Sequence, residues 1–368
     1  MILHLFDDEK VVNRAIDLFE DAFPEGNIYI VRIIDKPKYV QANDRIIFYK
    51  DGDKINDIVD IDNVTIHSMQ LWKIELIKSL SCRPKRIWWC IWGADMYNSI
   101  LSFLGYRMYY EWQFIQNPIR TQIIVFFSKI GIYSPSIKNQ LEFIKEYVTD
   151  LKTTKEEYEI QKLFLGSYLK ASFCEVPTNL YYSIDDVLSK ELLQTTVSGN
   201  LILVGNSASI SNNHLYAYQF LKKLDIGDRK IVSPLSYGGT QKYRDHIVHE
   251  ATLLFNERFI PLIDFMPLDE YNNILAQSAI CIYGNWRQEA MGNIVISLYL
   301  GAKVFLSNKS PLLKRFYRMG IKIFCLEDIT QSEIDTPLSS FDINRNREIL
   351  FSSLNRNTII NGIRQSWG

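Results

Sequence analysis

The sequence predicts an α/β protein of two domains, each built on a mostly parallel sheet with helices between its strands. Three observations carry this. Short apolar, β-branched runs alternate with stretches of helical period along nearly the whole chain. Strands separated by helices of about 10–15 residues pair in parallel rather than through tight hairpins. Some strand candidates, 86–92 above all, are continuously apolar, as strands covered on both faces are. Third, the alternation breaks once, over 178–199, which has no clean period and ends in the polar stretch TTVSGN.

The elements of the first domain, 1–180, follow in order. Residues 2–6 open as a strand, and Val12, Ile16, Phe19 and Phe23 recur at helical spacing within 11–23. Strands are predicted at 27–33, 45–49 and 64–67, then a helix at 71–80 and the buried strand 86–92. A strand at 130–134, a helix at 136–149 and a strand at 171–176 complete this half. A linker is set at 181–199. The second domain, 200–345, carries strands at 201–204, 230–234, 259–263, 279–283 and 303–306. Helices after Asn212, from Gln241, at 268–277 and at 291–300 separate them. Residues 346–368 form a helical tail, a candidate to pack back on the N-terminal domain. Two such series imply two Rossmann-like domains facing a cleft. In open α/β sheets ligands bind beyond the carboxyl ends of the strands, so functional residues are sought just after each strand.

Composition narrows the function. Across 368 residues Lys plus Arg total 41 and Asp plus Glu total 42. Phosphate-backbone binding needs concentrated positive charge, so no nucleic-acid partner is expected. The five cysteines form no CxxC pair and their number is odd, which fits neither a disulfide framework nor a zinc ribbon and suits a reducing cytoplasm. No basic region followed by an apolar stretch opens the chain, so no signal peptide is expected. The longest apolar runs, such as 123–127, fall far short of about 18 residues, so no membrane span is expected. Neither HxH, HExxH nor DxD spacing occurs, and no GxGxxG or Walker loop. No metal and no cofactor is expected.

Four segments and two strand histidines carry candidate chemistry. Gly205, Asn206 and Ser207 follow the strand LILV, and Asn213 and His214 lead into a helix. Glycine lets backbone turn tightly or approach a ligand, and free N–H groups at a helix start attract phosphate. A capped loop that binds nothing explains the same residues. The loop 284–293 holds Arg287, Glu289, Gly292 and Asn293: charge and amides for an anionic sugar ligand, or a long surface loop. Asp95 ends the buried strand, as a general base, a sugar ligand or a helix cap. His67 ends the strand VTIH and His4 lies in the first; each is a base or a structural histidine. Fourth, 83–120 sets aromatic residues among five cations and two acids, which suits an anionic membrane interface or a plain domain surface.

Together IWWCIWGADMYN (87–98), LILVGNSASISNNHLYAYQFL (201–221) and PLSYG (234–238) resemble the TDP-N-acetylfucosamine:lipid II N-acetylfucosaminyltransferases, glycosyltransferase family 56. The segments 233–238, 269–275 and 287–295 match the family's VPxxY, DAYLxLL-like and RQQGIGTL-like segments. His67 matches a strand-end histidine, and Pro177-Thr178 its FPT. The resemblance covers about 1–100 and 170–325. Where the family has G-I-G-T, this chain has Ala290-Met291-Gly292-Asn293, and Glu289 replaces a neutral residue. The resemblance implies a GT-B architecture, with the donor nucleotide on the C-terminal domain and the acceptor on the N-terminal one. It implies transfer of 4-acetamido-4,6-dideoxy-D-galactose or a similar deoxy-amino sugar from a nucleoside diphosphate, TDP, to an undecaprenyl-diphosphate-linked acceptor. In the family this happens at the cytoplasmic membrane face, in enterobacterial common antigen assembly. Under this reading Asp95 or His67 is the catalytic base. Gly205, Asn206, Ser207, Asn213, His214, Tyr237, Arg287, Glu289, Gly292 and Asn293 bind the donor. Arg107, Tyr110 and Trp112 meet membrane or acceptor, in peripheral contact with the cytoplasmic membrane. Two other readings stay open at this point: a nucleotide-sugar 2-epimerase of the same fold, and a non-catalytic nucleotide-sugar-binding protein.

Overall fold

The computed structural model of the chain describes residues 1–53, 61–115, 117–176, 180–186, 188 and 190–368. They form two compact units. The first comprises Met1–Tyr106, Ile123–Ile184 and Ser353–Gly368; the second comprises Arg107–Gln122 and Asp185–Ser352.

In the first unit β1 (Ile2–Asp7), α1 (Val12–Ala22), β2 (Asn27–Arg32), β3 (Ile46–Tyr49), β4 (Asn63–His67), α2 (Leu71–Ser79) and β5 (Arg86–Cys90) follow one another. A short α3 (Ala94–Met96) leads on to α4 (Pro118–Lys129), where the division between the units falls. α5 (Pro135–Glu146), β6 (Asp150–Thr153), α6 (Lys155–Leu165) and β7 (Ser172–Glu175) follow. The sheet runs β3-β2-β1-β4-β5-β6-β7, with every pair parallel. Strand order therefore reverses between β1 and β4.

The second unit contains α7 (Lys190–Leu193), β8 (Leu201–Val204), α8 (His214–Leu221), β9 (Ile231–Pro234), α9 (Gln241–Phe255), β10 (Phe259–Leu262) and α10 (Leu268–Gln277). β11 (Ser278–Tyr283), α11 (Met291–Leu300), β12 (Lys303–Leu306), α12 (Pro311–Arg318), β13 (Phe324–Cys325), α13 (Gln331–Asp335) and α14 (Ser340–Leu354) complete it. Its sheet runs β10-β9-β8-β11-β12-β13, again all parallel, with the switch between β8 and β11. The last helix, α15 (Arg356–Trp367), belongs to the first unit. Its Ile359, Ile363 and Trp367 join Phe19 and Trp88 in that core, and Trp367 Nε1 donates to Thr65 Oγ1 at 3.0 Å.

Three expectations change. Residues 130–134 form no strand: α4 ends at Lys129, Gly131 turns the chain at φ +79°, and Ser134 caps α5. The strand beside β5 is β6, whose sequence DLKT gave no apolar signal because its Lys152 is buried by hydrogen bonding to Ser366 O and Cys174 Sγ. Residues 107–122, read as part of the first domain, group with the second unit. The expected linker 181–199 includes Val187 and Ser189, and Pro177-Thr178 precede it; these four lie outside the described residues.

Candidate functional site

The two motif loops of the second unit leave β8 and β11, on either side of its switch point. They interlock. Asn213, with φ +51°, donates from Nδ2 to Gly284 O at 3.0 Å and to Met108 O at 3.2 Å, while its Oδ1 accepts from Tyr110 N at 2.9 Å. Asn285 Nδ2 donates to Ser211 O at 3.1 Å. A Cβ on Gly284 would lie 2.9 Å from Asn212 O, so glycine is needed for the loops to meet.

Within the first loop, Asn206 N donates to Asn212 Oδ1 at 2.8 Å, and Asn212 Nδ2 to Ser207 Oγ at 3.1 Å. Gly205 has φ +76°, and a Cβ there would stand 2.6 Å from His214 Nε2. Burial pushes the His214 imidazole down to about 3, so it is neutral. Its Nδ1 lies 3.3 Å from Tyr243 Oη, whose hydroxyl donates to Glu111 Oε2 at 3.2 Å. This arrangement puts the His214 proton on Nδ1 and leaves Nε2, facing Gly205, with no hydrogen-bond partner among the described residues. His214 and Asn213, expected to touch the donor, are instead fully buried braces of the loop. Sequence reading missed Glu111, which burial raises to about 7 and which lies 3.2 Å from His246 Nε2.

The loop after β9 completes the floor. Tyr237 O accepts from Ala208 N at 2.8 Å, and Tyr237 Oη receives Asn206 Nδ2 at 3.4 Å. A Cβ on Gly239 would fall 2.0 Å from Ala208 O, a contact that the unused signal of a double glycine after a strand could have flagged. Arg287 is nearly buried and pairs with Glu289 Oε1 at 3.1 Å. Glu289 Oε2 also accepts from Asn285 Nδ2 at 2.7 Å. The arginine expected as a free cation is thus neutralised by the residue that departs from the family pattern. Lys309, also missed, follows β12 and places Nζ 3.4 Å over the Trp286 ring. Gly292 and Asn293 lie in the first turn of α11, whose leading N–H groups have no partner inside the helix. Asn293 Nδ2 donates to Tyr271 Oη at 3.1 Å.

The first unit has a cavity of about 680 Å³ at the carboxyl ends of β2 to β5, lined by Arg32, Asp51, Ser68, Trp72, Glu75 and Asp95 among others. Asp95 Oδ2 accepts from Met69 N at 2.7 Å and Trp89 Nε1 at 2.8 Å; Oδ1 accepts from Trp92 N at 3.0 Å. Three donors meet about four acceptor positions on a carboxylate, so Oδ1 retains one. Burial raises this carboxyl, the three donors opposing. His67 differs. It is fully buried and lowered well below the usual range by burial. Tyr181 Oη lies 3.2 Å from its Nδ1, and its Nε2 lies 3.0 Å from His4 Nδ1; His4 Nε2 is 3.1 Å from Asn27 Oδ1. Asn27 Oδ1 can only accept, so His4 donates from Nε2, His67 donates from Nε2 to His4 Nδ1, and Tyr181 donates to His67 Nδ1. Both ring nitrogens of His67 are spent, which corrects its expected role as an open base.

Of the three residues expected at a membrane, Arg107 and Trp112 are exposed. Tyr110 is not: its hydroxyl accepts from Gln219 Nε2 and its ring packs on Tyr216 and Trp286.

The model for the 4-alpha-L-fucosyltransferase glycosyl transferase group 56 family matches residues 167–359. Among solved structures the fold is similar to sucrose-phosphate synthase from Thermosynechococcus elongatus, with TM-score 0.64 and 8% identity over 100% of this chain and 98% of that one. It is similar to a glycosyltransferase from Rickettsia africae, with TM-score 0.59 and 14% identity over 98% and 95%. A third is Anabaena HepE, in complex with UDP and glucose, with TM-score 0.57 and 10% identity over 100% and 99%. Two all-parallel units with this strand order, and these neighbours, show a GT-B fold. The chain belongs to glycosyltransferase family 56, the 4-alpha-L-fucosyltransferases.

Proposed function

We propose that this glycosyltransferase moves a deoxy-amino sugar, 4-acetamido-4,6-dideoxy-D-galactose or a close relative, from TDP to an undecaprenyl-diphosphate-linked saccharide. The observation that carries the donor half is the interlocked pair of loops at the switch point of the second unit, beside the first turn of α11. In this reading the amides of Met291, Gly292 and Asn293 and the loop 205–207 receive the diphosphate and Lys309 offsets its charge, while Arg287 is held back by its pair with Glu289. Tyr237, about half exposed, packs on base or ribose. The acceptor saccharide occupies the first-unit cavity. Its hydroxyl oxygen attacks the anomeric carbon, the bond from that carbon to the phosphate oxygen breaks, and the nucleoside diphosphate leaves with the electron pair. The hydroxyl proton passes to the open position on Asp95 Oδ1, whose raised affinity for protons suits a base. The lipid-linked acceptor brings the enzyme into peripheral contact with the cytoplasmic face of the membrane.

Calorimetry with TDP, UDP, GDP and CDP tests the donor. Preferential TDP binding is expected. Preference for UDP or GDP would discard the TDP-sugar assignment, and absence of binding at about millimolar concentration would overturn the placement of the donor.

A further inference from the structure

The turn between β4 and α2 carries a strained residue. Ser68 has φ +64°, a region that a residue other than glycine occupies only where its surroundings hold it. Two hydrogen bonds do so. Ser68 N donates to Cys90 O at 3.0 Å, and Ser68 O accepts from Lys73 Nζ at 2.9 Å. The next residue, Met69, donates its N–H to Asp95 Oδ2 at 2.7 Å. Ser68, Met69 and Asp95 all line the first-unit cavity. Lys73 is fully buried behind them, in the first turn of α2.

A buried lysine is costly, and this one is fully employed. An ammonium has three N–H donors. One goes to Asp7 Oδ2 at 2.8 Å, one to His67 O at 2.6 Å and one to Ser68 O. Asp7 is fixed in turn by Trp72 Nε1, which donates to its Oδ1 at 3.0 Å. An apolar side chain would fill the same volume without burying charge, so packing alone does not call for lysine here. The ammonium does two things that an apolar side chain cannot. It clamps the consecutive carbonyls of His67 and Ser68, and it opposes the burial that pushes the Asp95 carboxyl up.

We infer that Lys73 is a positioning residue for Asp95: it holds the turn that presents the Met69 N–H to the carboxylate, and its buried positive charge keeps that carboxylate open as a proton acceptor. The other titratable groups around Asp95 do not supply this charge. Cys90 on β5 and Tyr181 are pushed up by burial and His67 on β4 is lowered, so all three are neutral. In the cavity lining, Arg32 pairs with Asp51 at 2.8 Å and lies 3.7 Å from Asp7, and Glu75 is a further acid. The inference rests on the reading of Asp95 as the base, and its test separates the two.

The test is the pH profile of kcat/KM for the native chain and Lys73→Met. Asp95 is titrated in both by difference infrared spectroscopy, its carboxyl band assigned by its loss in Asp95→Asn. Lys73→Met strands Asp7, so Asp7→Asn/Lys73→Met, which buries no unpaired charge, is measured beside it. Without the ammonium, Asp95 should hold its proton to higher pH. Its titration and the acid limb of kcat/KM should both move up by about one pH unit, while TDP affinity stays within about twofold. An unmoved Asp95 titration in the folded variants would overturn the inference. So would a moved titration with an unmoved acid limb in an enzyme that loses turnover on Asp95→Asn. A moved titration in an enzyme that keeps its turnover on Asp95→Asn would strike the base reading and leave Lys73 as the residue that holds the carboxylate.

Discussion

Gly205 and His214 share one space, and a mutant cycle can measure it. Gly205→Ala adds a methyl at φ +76°, which costs an L-residue roughly 1–2 kcal/mol. The methyl also stands 2.6 Å from His214 Nε2. That ring cannot step aside cheaply: it is fully buried and hydrogen-bonded to Tyr243 at 3.3 Å. Overpacking of this kind costs about 1–3 kcal/mol. The single variant should therefore lose about 2–5 kcal/mol, the sum of the two terms. In a His214→Ala background the ring is gone, and the backbone term of about 1–2 kcal/mol remains beside the milder contact to Asn212 Oδ1 at 3.0 Å. The expected coupling between the substitutions is thus about 1–3 kcal/mol. Urea denaturation of the four proteins, followed by fluorescence, gives the cycle, and calorimetry with TDP gives the functional readout. Gly205→Ala should weaken TDP, because Asn206 N and Ser207 are held by the same network through Asn212. Additivity within about 0.5 kcal/mol would refute the claim that His214 forms the wall behind Gly205.

Three further outcomes follow from the site and the buried charges. His4 and His214 are lowered to about 3 and His67 well below its usual value, so the unfolded chain binds protons that the fold refuses. Stability from these three is present above about pH 6.5 and is lost below it at about 4 kcal/mol per pH unit. Glu111, raised to about 7, opposes by about 1.4 kcal/mol per unit, and Asp95 and Glu9 oppose in the same sense; urea midpoints at pH 7, 6 and 5 should fall, and constant or rising midpoints would contradict the neutral histidines. Glu289→Gln releases Arg287 from its partner at 3.1 Å and should tighten bare TDP by about fivefold, near 1 kcal/mol; weaker TDP binding in calorimetry would show that Glu289 is needed for the diphosphate site itself. Asp95→Asn keeps the volume but sets an amide donor against the N–H groups of Met69, Trp89 or Trp92, costing about 1–3 kcal/mol of stability. Under the base reading it also lowers kcat by about 100-fold or more with little change in donor KM, and equal turnover would remove Asp95 from that role.

What the sequence made legible was the part governed by period and by turn chemistry. The strand at 201–204 and the helices at 268–277 and 291–300 match β8, α10 and α11 residue for residue. The glycine-bearing loops fall at the switch point because Gly205 and Gly284 each stand where a side chain would strike another backbone or ring. Partner identity was less legible. Arg287 and Glu289 stand two residues apart and read as two separate ligands, yet the fold closes them into one ion pair. Glu111 is 132 residues from Tyr243, so no local pattern could join them. β6 escaped because a buried lysine, Lys152, replaced the expected apolar residue and found its partners elsewhere in the chain.

The aromatic stretch and α4 show the deepest limit of a one-dimensional reading. Apolar spacing in α4 identifies a stripe, but a stripe does not say which side is covered. Tyr110 and Phe114, in the aromatic stretch left open between a membrane interface and a domain surface, are taken up by packing within the second unit. The stripe of α4, a helix not among the predicted elements, is left in solvent. The same hydrophobicity is therefore buried in one place and exposed in the other, and only the neighbours decide.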